Sequence, residues 1–177
     1  LQDLRHGRRL SGHTVTNYAI DLAQFVEFAL VQGLDSPEAI RSGHVRAFLQ
    51  LAEAGVLTGT AFHRVVPGFV VQAGLTSTRA VPLTERQRRY VKNLPPEFND
   101  VRHERGILSM ARAEALDSAQ TSFFVVLGPQ PSLDGKYTVF GRVVGGLEVV
   151  EAIEKVPLDG ERPLTRIDLR RVRVTRH

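Results

Sequence analysis

The sequence predicts an α+β protein, with a helical first third followed by a mostly antiparallel β domain. Two observations support this fold class. Apolar residues repeat with the helical period as far as residue 54, and after Gly55 the chain divides into short apolar segments separated by Gly and Pro. The 177 residues, 42% of them apolar, are enough for one full domain with a small appendage.

The first third contains three helix signals in chain order. A helix over residues 14–30 is predicted by apolar residues at positions 15, 18, 22, 25, 26 and 29, and Gly33 follows as a stop. Ser36 and Pro37 then form an N-cap and a first helical position. A second amphipathic run covers residues 45–54 and ends at Gly55.

The remaining two thirds predict a barrel of short strands with helical insertions. Pro67-Gly68 and Asp134-Gly135 are turn signals between strands. A capping box of Thr84 and Gln87 begins one inserted helix, over 84–94, and a second helix covers 147–155. The predicted strands cover residues 62–66, 69–73, 106–111, 122–127, 138–144 and 165–174.

The composition excludes several classes of chemistry. The absence of cysteine excludes disulfides, thiolate metal sites and a cysteine nucleophile. The six histidines lack metal-ligand spacing, and the sequence contains neither a nucleophile elbow nor a phosphate loop. The apolar stretches are shorter than a membrane span, and residues 1–10 are charged, unlike a signal peptide. We therefore expect a cytoplasmic protein with no membrane partner.

The net charge of +4 and the pI of about 10.0 raise the question of nucleic acid binding. Residues 1–43 contain four arginines and five acidic residues, so the excess of positive charge lies in the rest of the chain. Near the C-terminus arginines alternate with apolar residues, which is typical of the solvent-facing side of a strand. DNA is therefore not an expected partner. These arginines are at positions 166, 170, 171, 173 and 176.

Four segments in order resemble the landmarks of the cyclophilin family of peptidyl-prolyl isomerases. The run GTAFHRVVPGFVVQAG at 59–74 resembles the family's signature segment, and GILSMA, SFF and LDGKYTVFG follow at 106–111, 122–124 and 133–141. The resemblance covers about residues 45–177. It implies an antiparallel β-barrel, an isomerase without a cofactor, and proline-containing peptides or unfolded proteins as partners.

The resemblance also implies the site. Arg64 would donate a hydrogen bond to the twisted prolyl amide, and Gln72 would position Arg64 or contact the substrate backbone. His63, on the opposite side of the strand, is interpreted as a structural histidine. The substrate-binding set comprises Phe69, Val70, Ser122, Phe124, Leu133 and Tyr137.

Several positions depart from the family pattern. Ser132 replaces a tryptophan of the cyclosporin-sensitive members, so tight drug binding is not expected. Tyr137 stands where a pocket histidine is common, and Val70 replaces a methionine. Arg112 and Ser122 replace an asparagine and a glutamine that commonly contact the peptide. Residues 75–97 form a longer, helix-forming insertion. These changes affect the expected substrate preference and rate more than the reaction type.

The first part of the chain does not match a cyclophilin start. Residues 9–28, then 33–34 and 45–49, resemble the N-terminal DNA-clamping domain of tyrosine recombinases over about residues 1–50. A hybrid origin follows, with a crossover within 44–55, a helical segment 1–44 and an isomerase domain 45–177. Without its first two strands, the barrel would be incomplete and packed against the N-terminal helices. Its unpaired strand edges would permit self-association.

Three further functions compete with an active prolyl isomerase. The first is a proline-peptide-binding or chaperone-like module with little turnover. The second is an engineered or recombined hybrid fold with no selected activity. The third is DNA binding by residues 1–43, which the slightly acidic charge of that segment disfavours.

Overall fold

A computed structural model describes residues 27–29 and 43–174 of the chain. Three α-helices and ten strands occur in this part, so the α+β class is confirmed. The helices are α1 (Gly43–Glu53), α2 (Glu85–Arg88) and α3 (Leu147–Glu154). The strands are β1 (Glu27–Ala29), β2 (Thr60–Phe62), β3 (Arg64–Val66), β4 (Val70–Ala73), β5 (Ile107–Met110), β6 (Phe123–Val126), β7 (Val139–Gly145), β8 (Leu158–Asp159), β9 (Arg162–Pro163) and β10 (Ile167–Leu169).

The main sheet has six antiparallel strands in the order β1-β7-β5-β6-β4-β3. Two smaller sheets pair β2 with β10 and β8 with β9. Within the described residues the strands do not close into a barrel. None of the described helices has the length and apolar character needed to cross a membrane.

The two faces of the main sheet have different roles. Val65, Val71 and Val125 project from one face of the sheet. They belong to the same large apolar core as the buried residues of α1 and α3. Because side chains alternate along a strand, their neighbours point to the other face. There a smaller apolar cluster forms around Val70 and Phe124. The helices thus hold one face of the sheet and leave the other for a binding site.

The helix predicted over residues 14–30 is wrong at its end, because Glu27–Ala29 form strand β1. This strand pairs antiparallel with β7, with Phe28 opposite Val143 and an irregularity after Glu27. This pairing provides hydrogen-bond partners for backbone groups of β7 that would otherwise lie at an open sheet edge. The gain from these tertiary hydrogen bonds outweighs the local preference for a helix. The rest of that helix and the one expected after Ser36 lie outside the described residues.

Three other predicted elements are shorter than expected. The strand predicted over 62–66 breaks at His63, where the chain passes from the β10 pairing of β2 to the β4 pairing of β3. The final strand ends at Leu169, because its partner β2 begins opposite that residue at Thr60. The inserted helix has its predicted capping box but spans only Glu85–Arg88. Beyond it, Leu94 leaves the helical path and forms a bridge with Ala119.

Candidate active site

A single row of residues across adjacent strands forms the centre of the candidate site. Arg64 on β3 lies directly opposite Gln72 on β4, and Gln72 lies opposite Phe124 on β6. Residues directly opposite in an antiparallel pair project from the same face. With neighbouring strands about 4.8 Å apart, the backbones of Arg64 and Phe124 are separated by roughly 10 Å. The row therefore aligns a cation, an amide and an aromatic ring on the face opposite the helices.

The apolar part of the site is built around Phe124, which is 5% exposed. Val70 and Leu133 are buried in the same cluster, and Phe69 and Tyr137 pack partly buried against it. The Tyr137 ring meets the Phe124 ring edge-on, with centroids 5.6 Å apart. The structure thus brings together the five apolar and aromatic residues that the sequence assigned to substrate binding.

The Pro67-Gly68 turn determines where Phe69 enters this cluster. Gly68 adopts a φ of +71°, a left-handed conformation that favours glycine. Its backbone N–H donates to the Glu154 carboxylate at 2.7 Å, and its carbonyl accepts from Gln130 Nε2 at 2.9 Å. The turn predicted from the sequence is therefore fixed from both sides by side chains distant in the chain.

Gln72 is held by Ser122, which the sequence analysis had assigned to substrate binding. Its Nε2 donates to Ser122 Oγ at 3.1 Å, and Ser122 Oγ donates to the Ala73 carbonyl at 3.0 Å. These two bonds orient the Gln72 amide along the sheet face. Gln72 and Ser122 are each half-buried, so their polar groups remain within reach of a ligand.

Arg64 forms a two-pronged ion pair that the sequence analysis missed. Its Nε donates to Glu161 Oε2 at 2.6 Å, and its Nη2 donates to Oε1 at 3.2 Å. The guanidinium holds the pKa of the Glu161 carboxyl below its usual value, first through the hydrogen bonds and then through its charge. The side chains are 36% and 55% exposed, so the pair lies at the rim of the site rather than in its interior.

A buried histidine lies behind the aromatic pocket and was also missed. His103, 1% exposed, stacks on Phe124 with ring centroids 6.2 Å apart. Its Nδ1 lies 2.9 Å from Asp134 Oδ1, and its Nε2 lies 3.2 Å from Ser109 Oγ. The backbone N–H of His103 also donates to Asp134 Oδ1 at 2.8 Å, and this is the main cause that lowers the pKa of that carboxyl. The network ties the turn after Leu133 to strand β5.

Arg112 covers the outer side of Tyr137. Its guanidinium carbon lies 4.8 Å from the centroid of the Tyr137 ring. Its Nη1 donates to the carbonyls of Ala113 and Glu114, and its Nη2 donates to the carbonyl of Lys136. Arg112, which stands where the family commonly has an asparagine, therefore fixes the neighbouring loop by hydrogen bonds. It also places a positive charge at the rim of the pocket.

His63 has the structural role that the sequence analysis assigned to it. Its Nδ1 lies 3.4 Å from the Ala61 carbonyl, and its backbone N–H donates to the Gln72 carbonyl. Burial lowers the pKa of its ring, and the neighbouring Arg64 lowers it further. A neutral imidazole is thereby favoured beside the cation.

Sequence distance explains why Glu161 and His103 were missed. Glu161 is 97 residues from Arg64, and His103 is 31 residues from Asp134. A lone glutamate after a turn glycine, or a lone histidine before a strand, carries no signal of such a partner.

Two family models match the chain, and they overlap. The model of the cyclophilin type peptidyl-prolyl cis-trans isomerases matches residues 39–174. The model of the N-terminal SAM-like domain of phage integrases matches residues 1–66. The two resemblances seen in the sequence are therefore confirmed, and α1 falls in the segment that both models match.

Several relatives carry the same family name. Peptidyl-prolyl cis-trans isomerase CYP23 of Arabidopsis thaliana is 44% identical to this chain over 61% of its residues. The chain spans about half (49%) of the length of that relative. CYP18-2 of the same plant is 37% identical over 73% of this chain and 78% of its own length. A cyclophilin type isomerase of Cryptosporidium parvum, solved in the presence of the dipeptide Ala-Pro, matches with a TM-score of 0.69. That match is 26% identical and covers 86% of this chain and 93% of the solved one. By its sequence and by its fold, the chain belongs to the cyclophilin-type peptidyl-prolyl cis-trans isomerase family.

Proposed function

We propose that this chain catalyses cis–trans isomerisation of X-Pro bonds in exposed peptide segments, by non-covalent stabilisation of the twisted amide. The observation that carries the proposal is the cross-strand row of Arg64, Gln72 and Phe124 beside a buried apolar cluster. A cation with free donor capacity, an oriented amide and an aromatic surface are the groups that this reaction requires.

The chemistry needs no nucleophile or proton transfer. Amide resonance sets a rotation barrier of about 18–20 kcal/mol. When the bond twists, the prolyl nitrogen loses resonance and becomes a hydrogen-bond acceptor. A donor aimed at that nitrogen stabilises the twisted state more than either planar isomer, which lowers the barrier. In our proposal this donor is the Arg64 guanidinium, whose charge persists at every physiological pH.

The remaining site residues hold the substrate in our proposal. Phe69, Phe124 and Leu133 bind the proline ring, with Val70 beneath it and Tyr137 covering its outer side. Gln72 and Ser122 contact the peptide backbone next to the proline. Clamping the ring leaves the preceding carbonyl as the part that turns, which confines the motion to one bond.

A second candidate is a proline-peptide-binding module with little turnover. It is favoured by the Glu161 carboxylate, which already engages two nitrogens of Arg64. If the Glu161 carboxylate cancelled the effect of the guanidinium charge on the twisted amide, the pocket would bind proline without accelerating rotation about the X-Pro bond.

We also propose the hybrid architecture, with a segment 1–44 derived from a recombinase-like clamp and an isomerase domain 45–177 that lacks part of the family's barrel. The overlap of the two family matches supports it. So does the pairing of β1, from the first segment, with β7 of the second.

The test of the proposed function uses a coupled assay in which a protease cleaves only the trans form of an Ala-Pro-Phe peptide. We expect the Arg64→Ala variant to lose about 100-fold in kcat/KM, because the missing donor acts only in the twisted state. Arg64→Lys keeps the positive charge but lacks the planar set of N–H donors of the guanidinium. Its kcat/KM should therefore lie between those of Arg64→Ala and the unaltered protein.

Arg142→Ala is the matched control, since Arg142 is an exposed arginine on β7 of the same sheet. Its kcat/KM should equal that of the unaltered protein. Equal rates for the Arg64→Ala variant and the unaltered protein would contradict the assignment. Tight peptide binding with no turnover in the unaltered protein would favour the second candidate.

A further inference from the structure

The hairpin of β8 and β9 is attached to the strand that carries Arg64. Asp159 and Arg162 pair across a two-residue turn formed by Gly160 and Glu161, in which Gly160 has a φ of +59°. The Glu161 carbonyl accepts a hydrogen bond of 2.7 Å from the backbone N–H of Val65. Because Val65 directly follows Arg64, the backbone of Glu161 is fixed relative to the backbone of Arg64.

The carboxylate of Glu161 determines which face of the guanidinium remains available. The two hydrogen bonds occupy Nε and Nη2, the parallel donors on one edge of the fork. Nη1 makes no hydrogen bond to the described residues. Its two N–H groups are therefore left to donate on the side of the guanidinium away from the carboxylate.

The exposure of the pair argues against a purely structural role. Exposed ion pairs contribute little to folding stability, because water and salt screen them and because ordering long side chains costs entropy. Arginine has many rotamers, and the Arg64 side chain is 36% exposed, so packing alone does not fix its guanidinium. Without a partner, the guanidinium would sample several positions along the sheet face.

We propose that Glu161 is a positioning residue for the isomerase reaction: it holds the Arg64 guanidinium by Nε and Nη2 so that Nη1 faces the prolyl nitrogen. The inference rests on the proposed function, and it makes the ion pair part of the active machinery rather than a competitor of the substrate. The turn of the β8–β9 hairpin is then part of the active site, although its residue Glu161 lies 97 residues from Arg64 in the chain.

The test compares Glu161→Gln, Glu161→Asp and a matched control. Glu161→Gln keeps the size of the side chain and removes the charge and one acceptor oxygen. We expect its kcat to fall about tenfold with KM changed less than about twofold, because misplacing a catalytic group mainly affects the reacting geometry. Glu161→Asp keeps the charge on a side chain shorter by one methylene and should recover part of the lost kcat.

Glu151→Gln is the control, because it removes another exposed glutamate that pairs with an arginine, Arg105, outside the site. Its kcat and KM should be unchanged. The ¹⁵N–¹H signal of the Arg64 side-chain Nε provides a readout that is independent of turnover. A hydrogen bond to a carboxylate shifts this signal and slows its exchange with water. Both features should be present in the unaltered protein and reduced in Glu161→Gln, whose amide keeps one acceptor oxygen but no charge.

The outcomes separate the two claims. If the unaltered protein is active and Arg64→Ala is not, but Glu161→Gln keeps its kcat within about twofold, the positioning role is wrong and the proposed function stands. A higher kcat in Glu161→Gln would also overturn it and would make Glu161 a competitor. If the unaltered protein binds the peptide without isomerising it, both claims fail. A tenfold loss of kcat in Glu161→Gln supports the positioning role, provided that the shift and the exchange protection of the Nε signal are reduced and the Glu151→Gln control is unaffected.

Discussion

Adjacent phenylalanines on opposite faces of β6 allow the pocket to be tested separately from stability. Phe124 lies on the pocket face, edge-on to Tyr137 at 5.6 Å and stacked on His103. Phe123, 1% exposed, lies on the helix face, edge-on to Phe48 at 5.4 Å and to Phe140 at 6.5 Å. Among the described residues each ring therefore makes two aromatic contacts on its own face of the sheet, and Phe→Leu at either position removes a ring of the same size.

The expected loss of stability is similar for the two variants. A roughly volume-conserving apolar exchange costs less than about 1.5 kcal/mol, and an aromatic pair contributes about 0.5–1.5 kcal/mol beyond its buried area. Phe124→Leu and Phe123→Leu should therefore each lower the free energy of unfolding by about 1–3 kcal/mol. Urea denaturation followed by circular dichroism measures this quantity for both variants.

The effect on catalysis should differ. Phe124→Leu removes the flat surface against which, in our proposal, the proline ring packs. We therefore expect kcat/KM for the Ala-Pro-Phe peptide to fall at least about tenfold, equivalent to about 1.4 kcal/mol. Phe123→Leu leaves that surface in place, so its kcat/KM should stay within about twofold of the unaltered value at a temperature where both variants are folded. Equal losses of kcat/KM in the two variants would refute the assignment of the pocket to this face.

Three further predictions concern the residues around the pocket. Asp134→Asn should abolish one acid-sensitive component of stability. The pKa of Asp134 is lowered by His103, so its contribution is present above the unfolded pKa of about 3.9 and is lost as the pH falls through the folded pKa. Stability measured from pH 6 down to pH 2 tests this, and an unchanged acid dependence in the variant would contradict it. Gly74→Ala should cost at least about 2 kcal/mol, because Gly74 has a φ of +83° and an added Cβ would lie 2.4 Å from the Thr121 carbonyl oxygen. Thermal denaturation measures that cost, and a Tm equal to that of the unaltered protein would refute the argument. Ser122→Ala should lower kcat/KM several-fold while costing about 1 kcal/mol of stability, since it removes the hydrogen bond that orients Gln72. The same coupled assay and urea titration measure both effects, and an unchanged kcat/KM would exclude Ser122 from the site.

Local patterns in the sequence were sufficient to predict the centre of the fold. The strands at 69–73, 106–111, 122–127 and 138–144 all form within a residue or two of the predicted bounds. Their short apolar runs are bounded by Gly and Pro, which leave few alternatives to a strand. The capping box of Thr84 and Gln87 forms as predicted, because it depends only on residues three apart.

Pairing between distant segments was not predictable in the same way. Glu27–Ala29 lies within a segment whose apolar residues recur with the helical period, yet it forms a strand that pairs with β7. The final strand ends at Leu169 because β2 offers no further partner, although apolar residues interspersed with arginines continue to Val174. In both cases the decision depends on where another segment begins or ends, and this information is absent from the local pattern.

The candidate site shows the same division between near and distant residues. The row of Arg64, Gln72 and Phe124 follows from motif residues on three neighbouring strands, and the structure brings them together as expected. The residues that hold this row in place, Glu161 and His103, come from a hairpin turn and a loop. Their roles depend on side-chain contacts across the sheet, which neither composition nor spacing specifies.

Whether the chain accelerates prolyl isomerisation can be measured by NMR exchange spectroscopy on an Ala-Pro peptide. Without a catalyst, the cis and trans signals interconvert over about 10–100 s at 25 °C, too slowly to give exchange cross-peaks at sub-second mixing times. We expect such cross-peaks when the unaltered 177-residue chain is added in substoichiometric amount, with an intensity that rises with protein concentration. Peptide signals that shift on binding but show no cross-peaks would contradict the isomerase assignment and would leave a proline-binding module in its place.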